Sequence, residues 1–275
     1  MGAKIKVAIA GINGKMGRAS LGALTGLDDI EIVGAFGRSG AAYAGKDLSI
    51  LSGGSACTGV KVSEDLSSCL ASATPDILLE FTRAESCMEH ARLALANGIR
   101  PLIGTSGLSQ ADFDELASLS EEAGVGAMVI PNFSVGAVLM MEFARMAGKH
   151  FKNVEIVEMH GVKKLDAPSG TATYTAAKLA EVQDRYNPSE LPPGTEEREL
   201  LKGTRGGRTD AGVRIHSLRL PGLISHQDVI FGAPGEMLTL RHNSFNTDCF
   251  VKGIVLSVRS LMERDQFTLG LENLL

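Results

Sequence analysis

Short, mainly apolar runs alternate with helical periodicities through the first half of the chain. Ile5–Ala10, Glu31–Phe36, Ile77–Phe81, Pro101–Gly104 and Ala127–Ile130 have strand length, and most lack the in–out alternation of a half-solvated strand. That is the pattern of strands buried on both faces. Between them Met16–Leu24, Ala84–Asn97 and Gln110–Ala123 read as helices, the last two stopped at Asn97-Gly98 and Ala123-Gly124, because glycine accepts the left-handed conformation of a helix end. Such repetition predicts βαβ units around a parallel sheet, with helices on both faces.

The pattern changes after Pro131. Val135–His150 and Gly170–Asp184 read as helices and Val154–His160 as a strand. Three extended runs follow, Val213–Leu220, Gln227–Phe231 and Met237–His242, punctuated by Pro221-Gly222 and Pro234-Gly235. Strands in succession predict a second domain of α+β type with a mixed or antiparallel sheet. Gln183–Gly207, rich in Pro, Gly and charge, reads as an exposed excursion, and Phe250–Met262 as a final helix returning to the first domain. The fold class expected is therefore α/β: a Rossmann-type domain, residues 1–133 completed by 244–275, plus an α+β domain with a mixed sheet over 134–243.

Composition narrows the function classes. The 275 residues are 44% hydrophobic and 21% charged, the balance of an ordinary globular chain with room for two cores. A formal charge of −5 offers no basic footprint for nucleic acid. No apolar run approaches membrane-span length, and Met1–Val7 moves straight into a strand pattern without a signal core, so a cytoplasmic protein is expected. The four cysteines (Cys57, Cys69, Cys87, Cys249) lack metal-ligand spacing and read as reduced thiols, with no metal expected.

Gly11-Ile12-Asn13-Gly14-Lys15-Met16-Gly17 follows the first strand and opens a helix. Glycines there let the backbone turn tightly and approach a pyrophosphate, whose charge meets unpaired N–H groups at the helix start. The tip of the second strand reads Ala35-Phe36-Gly37-Arg38, with no carboxylate to bind a free ribose hydroxyl and with an arginine fork suited to a 2′-phosphate. NADPH is the expected cofactor, with NADH possible. The loops Glu80–Arg83 and Gly104–Gly107, together with Pro131–Ser134, end further strands and should face the nicotinamide.

The segment Glu158-Met159-His160-Gly161-Val162-Lys163-Lys164-Leu165-Asp166-Ala167-Pro168-Ser169-Gly170-Thr171 runs from a strand through a loop into a helix. Ser169 is a capping candidate, and the N–H groups behind it suit a carboxylate, to which Lys164 adds a full charge. His160 titrates near neutrality and can give a proton during reduction.

These motifs resemble the 4-hydroxy-tetrahydrodipicolinate (dihydrodipicolinate) reductase family. The strand-end Glu158 and His160, Lys164, the uninterrupted Asp166–Thr171, Gly11–Gly17 with Arg18, Phe81–Arg83, Gly104–Gly107 and Asn132–Gly136 match its pattern in order over nearly the whole chain. The resemblance implies NAD(P)H-dependent reduction of a cyclic dicarboxylate in lysine biosynthesis by a homotetramer. It implies His160 as proton donor, Lys164 as the second catalytic residue, and Ser169, Gly170 and Thr171 at the substrate carboxylate. Gly11, Ile12, Asn13, Gly14, Lys15, Met16, Gly37, Arg38, Gly104, Thr105, Ser106, Ile130, Pro131, Asn132 and Phe133 would contact the cofactor.

The chain departs from the family where a second histidine is replaced by Gly161 and an arginine by Thr247. The first departure removes a carboxylate contact or hands it to Lys163. Some members carry an acid in place of Gly37, whose absence fits NADPH. Substrate would dock in a cleft between the domains, with hinges near Pro131–Ser134 and Asn243–Thr247. Another small-carboxylate reductase, or a non-catalytic NADP(H)-binding protein, are the alternative readings.

Overall fold

The computed structural model describes residues 2–51, 59–188, 195 and 198–275. The elements run β1 (Ile5–Ala10), α1 (Lys15–Leu24), β2 (Ile30–Phe36), β3 (Val62–Ser63), α2 (Leu66–Ala73), β4 (Ile77–Glu80), α3 (Ala84–Ala96), β5 (Arg100–Ile103), α4 (Gln110–Ala123), β6 (Met128–Val129) and α5 (Val135–Gly148). There follow β7 (Asn153–His160), α6 (Gly170–Ala180), β8 (Gly207–Arg208), β9 (Arg214–Arg219), β10 (Ser225–Ala233), β11 (Glu236–Ser244), α7 (Val251–Leu261) and β12 (Thr268–Leu269). The chain divides into two units, the first extending to Val135 with Thr247–Leu275 added, the second Gly136–Asn246.

The first unit holds a Rossmann-like parallel sheet in the order β12-β6-β5-β4-β1-β2-β3. All four residues of β4 and the last four of β1 are buried, as expected of strands covered on both faces. The strand order reverses between β1 and β4, so a ligand crevice opens outside their C-terminal ends. The helix α7 does return to this unit and packs on α1. Arg259 on α7 holds Asp29 at 2.7 and 2.9 Å. At Gly253 a Cβ would stand 1.9 Å from the Phe133 carbonyl oxygen, so only glycine permits this approach.

Two pieces of this unit escaped the sequence pattern. The β3–α2 stretch contributes a two-residue strand and an eight-residue helix, the latter capped by Asp65 accepting from Ser68 N at 2.7 Å. The strand β12 is likewise two residues long and pairs with β6. Strands this short leave no periodicity to read.

The second unit is built on a mixed sheet in the order β11-β10-β7-β9-β8, with β7 and β9 parallel and the other pairs antiparallel. Along β7, Val154, Ile156 and Glu158 are buried while Asn153, Glu155 and Val157 are only half so, which marks one covered face and one open one. Pro234-Gly235 closes the β10–β11 hairpin, with Gly235 at φ +85 as a tight turn of this type demands. Residues 183–207 are not wholly an exposed excursion. Tyr186 is completely buried, its hydroxyl donating to the carbonyls of Gly148 and Leu179 at 3.1 Å. Asn187 bridges to both Val154 backbone groups at 2.8 and 2.7 Å. A large ring with a satisfied hydroxyl anchors a segment whose composition suggested solvent.

Candidate active site

In the first unit, a cavity of about 850 Å³ opens where the strand order reverses. Its walls are the Gly11–Gly14 turn, Phe36–Arg38, Tyr43, Phe81–Arg83 and His90. Gly11 has φ +74, and a Cβ there would lie 2.6 Å from the Phe81 carbonyl oxygen. At Gly17 a Cβ would lie 2.4 Å from the Gly11 carbonyl oxygen. The first glycine thus makes the turn and the last lets α1 pack on it. Asn13, which stands where a glycine is usual, is tied to Arg18 through its side-chain oxygen, 3.2 Å from Nε and 2.5 Å from Nη2. No side chain caps α1 at Gly14, so its first-turn N–H groups suit an anion.

At the β2 tip Gly37 is buried beneath the Tyr43 ring; a Cβ would come within 2.5 Å of Tyr43 Cε2. Arg38 is exposed, its backbone N–H donates to the Tyr43 hydroxyl at 3.2 Å, and its guanidinium has no partner among the described residues. Sequence reasoning named Arg83 in the loop before α3 but missed Tyr43 and the α3 residues Ser86 and His90. Arg83, Ser86 and His90 line the cavity at spacings of three and four residues, a single helical face that periodicity makes legible.

Of the remaining expected contacts, Ile12, Ile130 and Phe133 bury their side chains completely or nearly so, leaving only backbone to meet a ligand. Lys15 lies over the Phe250 ring at 5.8 Å, and Met16 is half-buried. Gly104 sits where a Cβ would collide with the rings of Phe81 at 2.2 Å and Phe133 at 2.7 Å. This wedge brings the ends of β4, β5 and β6 together. The buried Thr105 hydroxyl approaches the carbonyls of Glu80 and Thr82 at 3.4 Å, while Ser106 and Pro131 are exposed. The half-buried Asn132 accepts from Ser134 N at 2.9 Å, folding a tight turn.

In the second unit His160 ends β7 with Glu158, completely buried, two residues behind on the same face. Glu158 Oε2 meets His160 Nδ1 at 2.5 Å, and Arg219 donates to both Glu158 oxygens at 2.8 and 3.0 Å. Burial alone would raise the Glu158 carboxyl, but hydrogen bonds from Arg219, Ser217 and His160 outweigh it and hold it below its ordinary value. An ionised carboxylate only accepts, so Nδ1 carries the hydrogen and Nε2 is the ring atom left for a ligand. His160 itself is pushed down, chiefly by burial; Lys164 and Arg219 add to this and Glu158 opposes it.

Lys164 donates to both Asp166 oxygens at 2.9 and 2.7 Å. Its charge is therefore partly offset here rather than wholly available, a correction to the expectation from sequence. Ser169 is buried and caps α6, accepting from Ala172 N at 3.2 Å, so its hydroxyl is engaged. Gly170 is exposed, with nothing within 4 Å of where a Cβ would stand, and Thr171 follows in the first turn. The approach to the positive end of α6 is thus open. At Gly161 a Cβ would stand 2.9 Å from the Leu223 carbonyl oxygen; backbone takes the space that a side chain would need. Lys163 is exposed. Thr247 begins a short 3-10 turn in the first unit.

Comparisons with known proteins span both units of the chain. Family models for dihydrodipicolinate reductase match residues 5–133 with the N-terminal part and 136–275 with the C-terminal part. The chain belongs to the dihydrodipicolinate reductase family. The 4-hydroxy-tetrahydrodipicolinate reductase of Bacillus pumilus is 44% identical over 98% of both chains. That of a Picosynechococcus species is 42% identical over 99% of this chain and 98% of its own. Among solved structures, the dipicolinate-bound dihydrodipicolinate reductase of Paenisporosarcina sp. TG-14 has a TM-score of 0.85 at 40% identity, covering 99% of this chain and 100% of its own. An amine dehydrogenase of Mycobacterium smegmatis shares only the fold, with a TM-score of 0.67 at 18% identity over 95% of this chain and 93% of its own. Membership of the reductase family favours neither a different small-carboxylate reductase nor a binding protein without activity.

The free cysteines Cys69 and Cys87 are buried. Burial raises both thiols, Cys87 to about 12, and Glu80 pushes Cys87 the same way. Cys249 is half-buried and Cys57 lies outside the described residues. Among the described residues no helix is long and apolar enough to cross a membrane.

Proposed function

We propose that the protein reduces 4-hydroxy-tetrahydrodipicolinate to tetrahydrodipicolinate with NAD(P)H, in lysine and diaminopimelate biosynthesis. The observation that carries the reading is the His160–Glu158–Arg219 cluster beside the Lys164–Thr171 loop, in a chain matching this family end to end. The nicotinamide cofactor supplies hydride. His160 Nε2 delivers the proton, so that hydride and proton enter and the 4-hydroxyl leaves as water. Lys164 and the α6 entrance at Ser169–Thr171 hold the substrate carboxylate, which offers Lys164 a second anionic partner besides Asp166. Cofactor phosphates lie over the Gly11–Gly14 turn at the start of α1.

NADPH is the preferred donor in this reading. Arg38 is exposed at the β2 tip with its fork available, and the buried Gly37 offers no acid to a free ribose. The protein acts in the cytoplasm, in keeping with its unpaired buried thiols. It assembles as a homotetramer through the open face of the second sheet, where Val157, Leu218, Ile230 and Met237 lie on one side, and sedimentation velocity measures that state. The deciding experiment follows NADPH oxidation with substrate formed in situ from pyruvate and aspartate semialdehyde by the preceding enzyme. Saturable turnover, slower with NADH, is expected. Cofactor binding without turnover would overturn the reading.

A further inference from the structure

We propose that Arg219 is a positioning residue, holding His160 through Glu158 and the substrate loop through the backbone of Asp166. The inference rests on the reductase reading above. The strands β7 and β9 run parallel, and their register sets Arg219 beside His160. Neighbours in register share a face of the sheet. From there the guanidinium reaches Glu158 with both terminal nitrogens, and Nη2 also donates to the Asp166 carbonyl oxygen at 2.7 Å. The Asp166 carboxylate in turn holds Lys164. One cation thus joins the proton donor to the loop carrying the lysine.

The charged groups around His160 are Glu158 from β7, Arg219 from β9, and Lys164 and Asp166 from the loop. The β10 strand places the neutral Ser225 in register with it. Stability is a poor account of this arrangement, because a buried ion pair gains little over an apolar pair of the same shape. Its geometry serves chemistry better. A planar fork can satisfy both Glu158 oxygens and a carbonyl at once, which a lysine's point charge cannot. Glu158, so held, keeps Nδ1 of His160 protonated and turns Nε2 outward as the atom that gives the proton.

Three proteins test this: the unaltered chain, Glu158→Gln and Arg219→Lys. Nitrogen-15 shifts of the His160 ring are recorded in the free protein, and kcat and KM for the dicarboxylate are measured against pH, with NADPH affinity as the folding control. In the unaltered chain neutral His160 should be the Nδ1–H tautomer. In Glu158→Gln the acid group in the kcat profile should move down by about one pH unit or more, a tenfold loss of turnover above it. Arg219→Lys should keep the profile closer to the unaltered one and raise KM by roughly tenfold as the Asp166 carbonyl is released.

Ring shifts, kcat and KM that stay the same in both variants would overturn the proposal while leaving the reductase reading intact. An Nε2–H tautomer in the unaltered chain would overturn it with no variant needed. If the unaltered chain does not oxidise NADPH with this dicarboxylate, the reductase reading falls, and the proton-donor positioning proposed here falls with it.

Discussion

Glu80 and His90 meet at the C-terminal end of β4: His90 Nδ1 lies 2.8 Å from Glu80 Oε2, and Glu80 is completely buried. The other carboxylate oxygen accepts from Thr82 N at 2.6 Å. A single buried acid therefore ties α3 to the Phe81–Arg83 loop that walls the nucleotide cavity. His90→Leu leaves one oxygen of that acid without its partner. The expected cost is about 1–3 kcal/mol of stability, read as a lower urea midpoint at unchanged slope, together with weaker NADPH binding as the loop loosens.

Arg38 supplies the test of cofactor choice. Its guanidinium stands at the β2 tip beside the cavity. Arg38→Ala should weaken NADPH about 10- to 100-fold, the loss of a charge-assisted pair, and leave NADH within about twofold. Equal losses for both cofactors, measured by fluorescence titration, would remove Arg38 from 2′-phosphate recognition.

Gly37 sets a steric condition on reversing that choice. A side chain there collides with the Tyr43 ring, at 2.5 Å from the Cβ position. Gly37→Asp alone should therefore weaken both cofactors. Joined with Tyr43→Ser, it should favour NADH, because the carboxylate then reaches the ribose hydroxyls. Comparing the kcat/KM ratio of the two cofactors in both variants checks this.

The His160 titration carries a definite sign. Burial lowers its folded-state value below the ordinary 6.5, so the unfolded chain takes up the proton first as pH falls. The stability it contributes is present above about 6.5 and is lost as pH falls through the lower folded value. An NMR titration of the free protein should place the midpoint below 6.5. Dipicolinate, adding negative charge beside the ring, should move that midpoint upward.

Much of the architecture was legible because it is local. The boundaries of α4 can be read from its own sequence, since Ser109 caps it in a reciprocal box with Asp112 and Gly124 ends it at φ +62. The Gly11–Gly17 turn and the Ser169 cap are likewise decided within a few residues. Composition misled where a single anchor outweighs its surroundings. Around Tyr186 the sequence is polar and rich in Pro and Gly, yet the Tyr186 ring is buried and its hydroxyl is held by two hydrogen bonds.

The order of buried strands and helices, the glycine turn and the capped entrance of α6 were determined by sequence alone, because turn chemistry, capping and periodicity act over neighbouring residues. Tertiary structure decided which distant groups surround them. Arg219 and Glu158 are 61 residues apart and meet only through the parallel register of β7 and β9. Tyr43 covers Gly37, and Leu223 closes on Gly161, only once the backbone has folded back. The strands β3 and β12, two residues each, take their form from the ladder beside them. Such contacts leave no trace in a local pattern, because strand register and long-range packing are properties of the assembled chain.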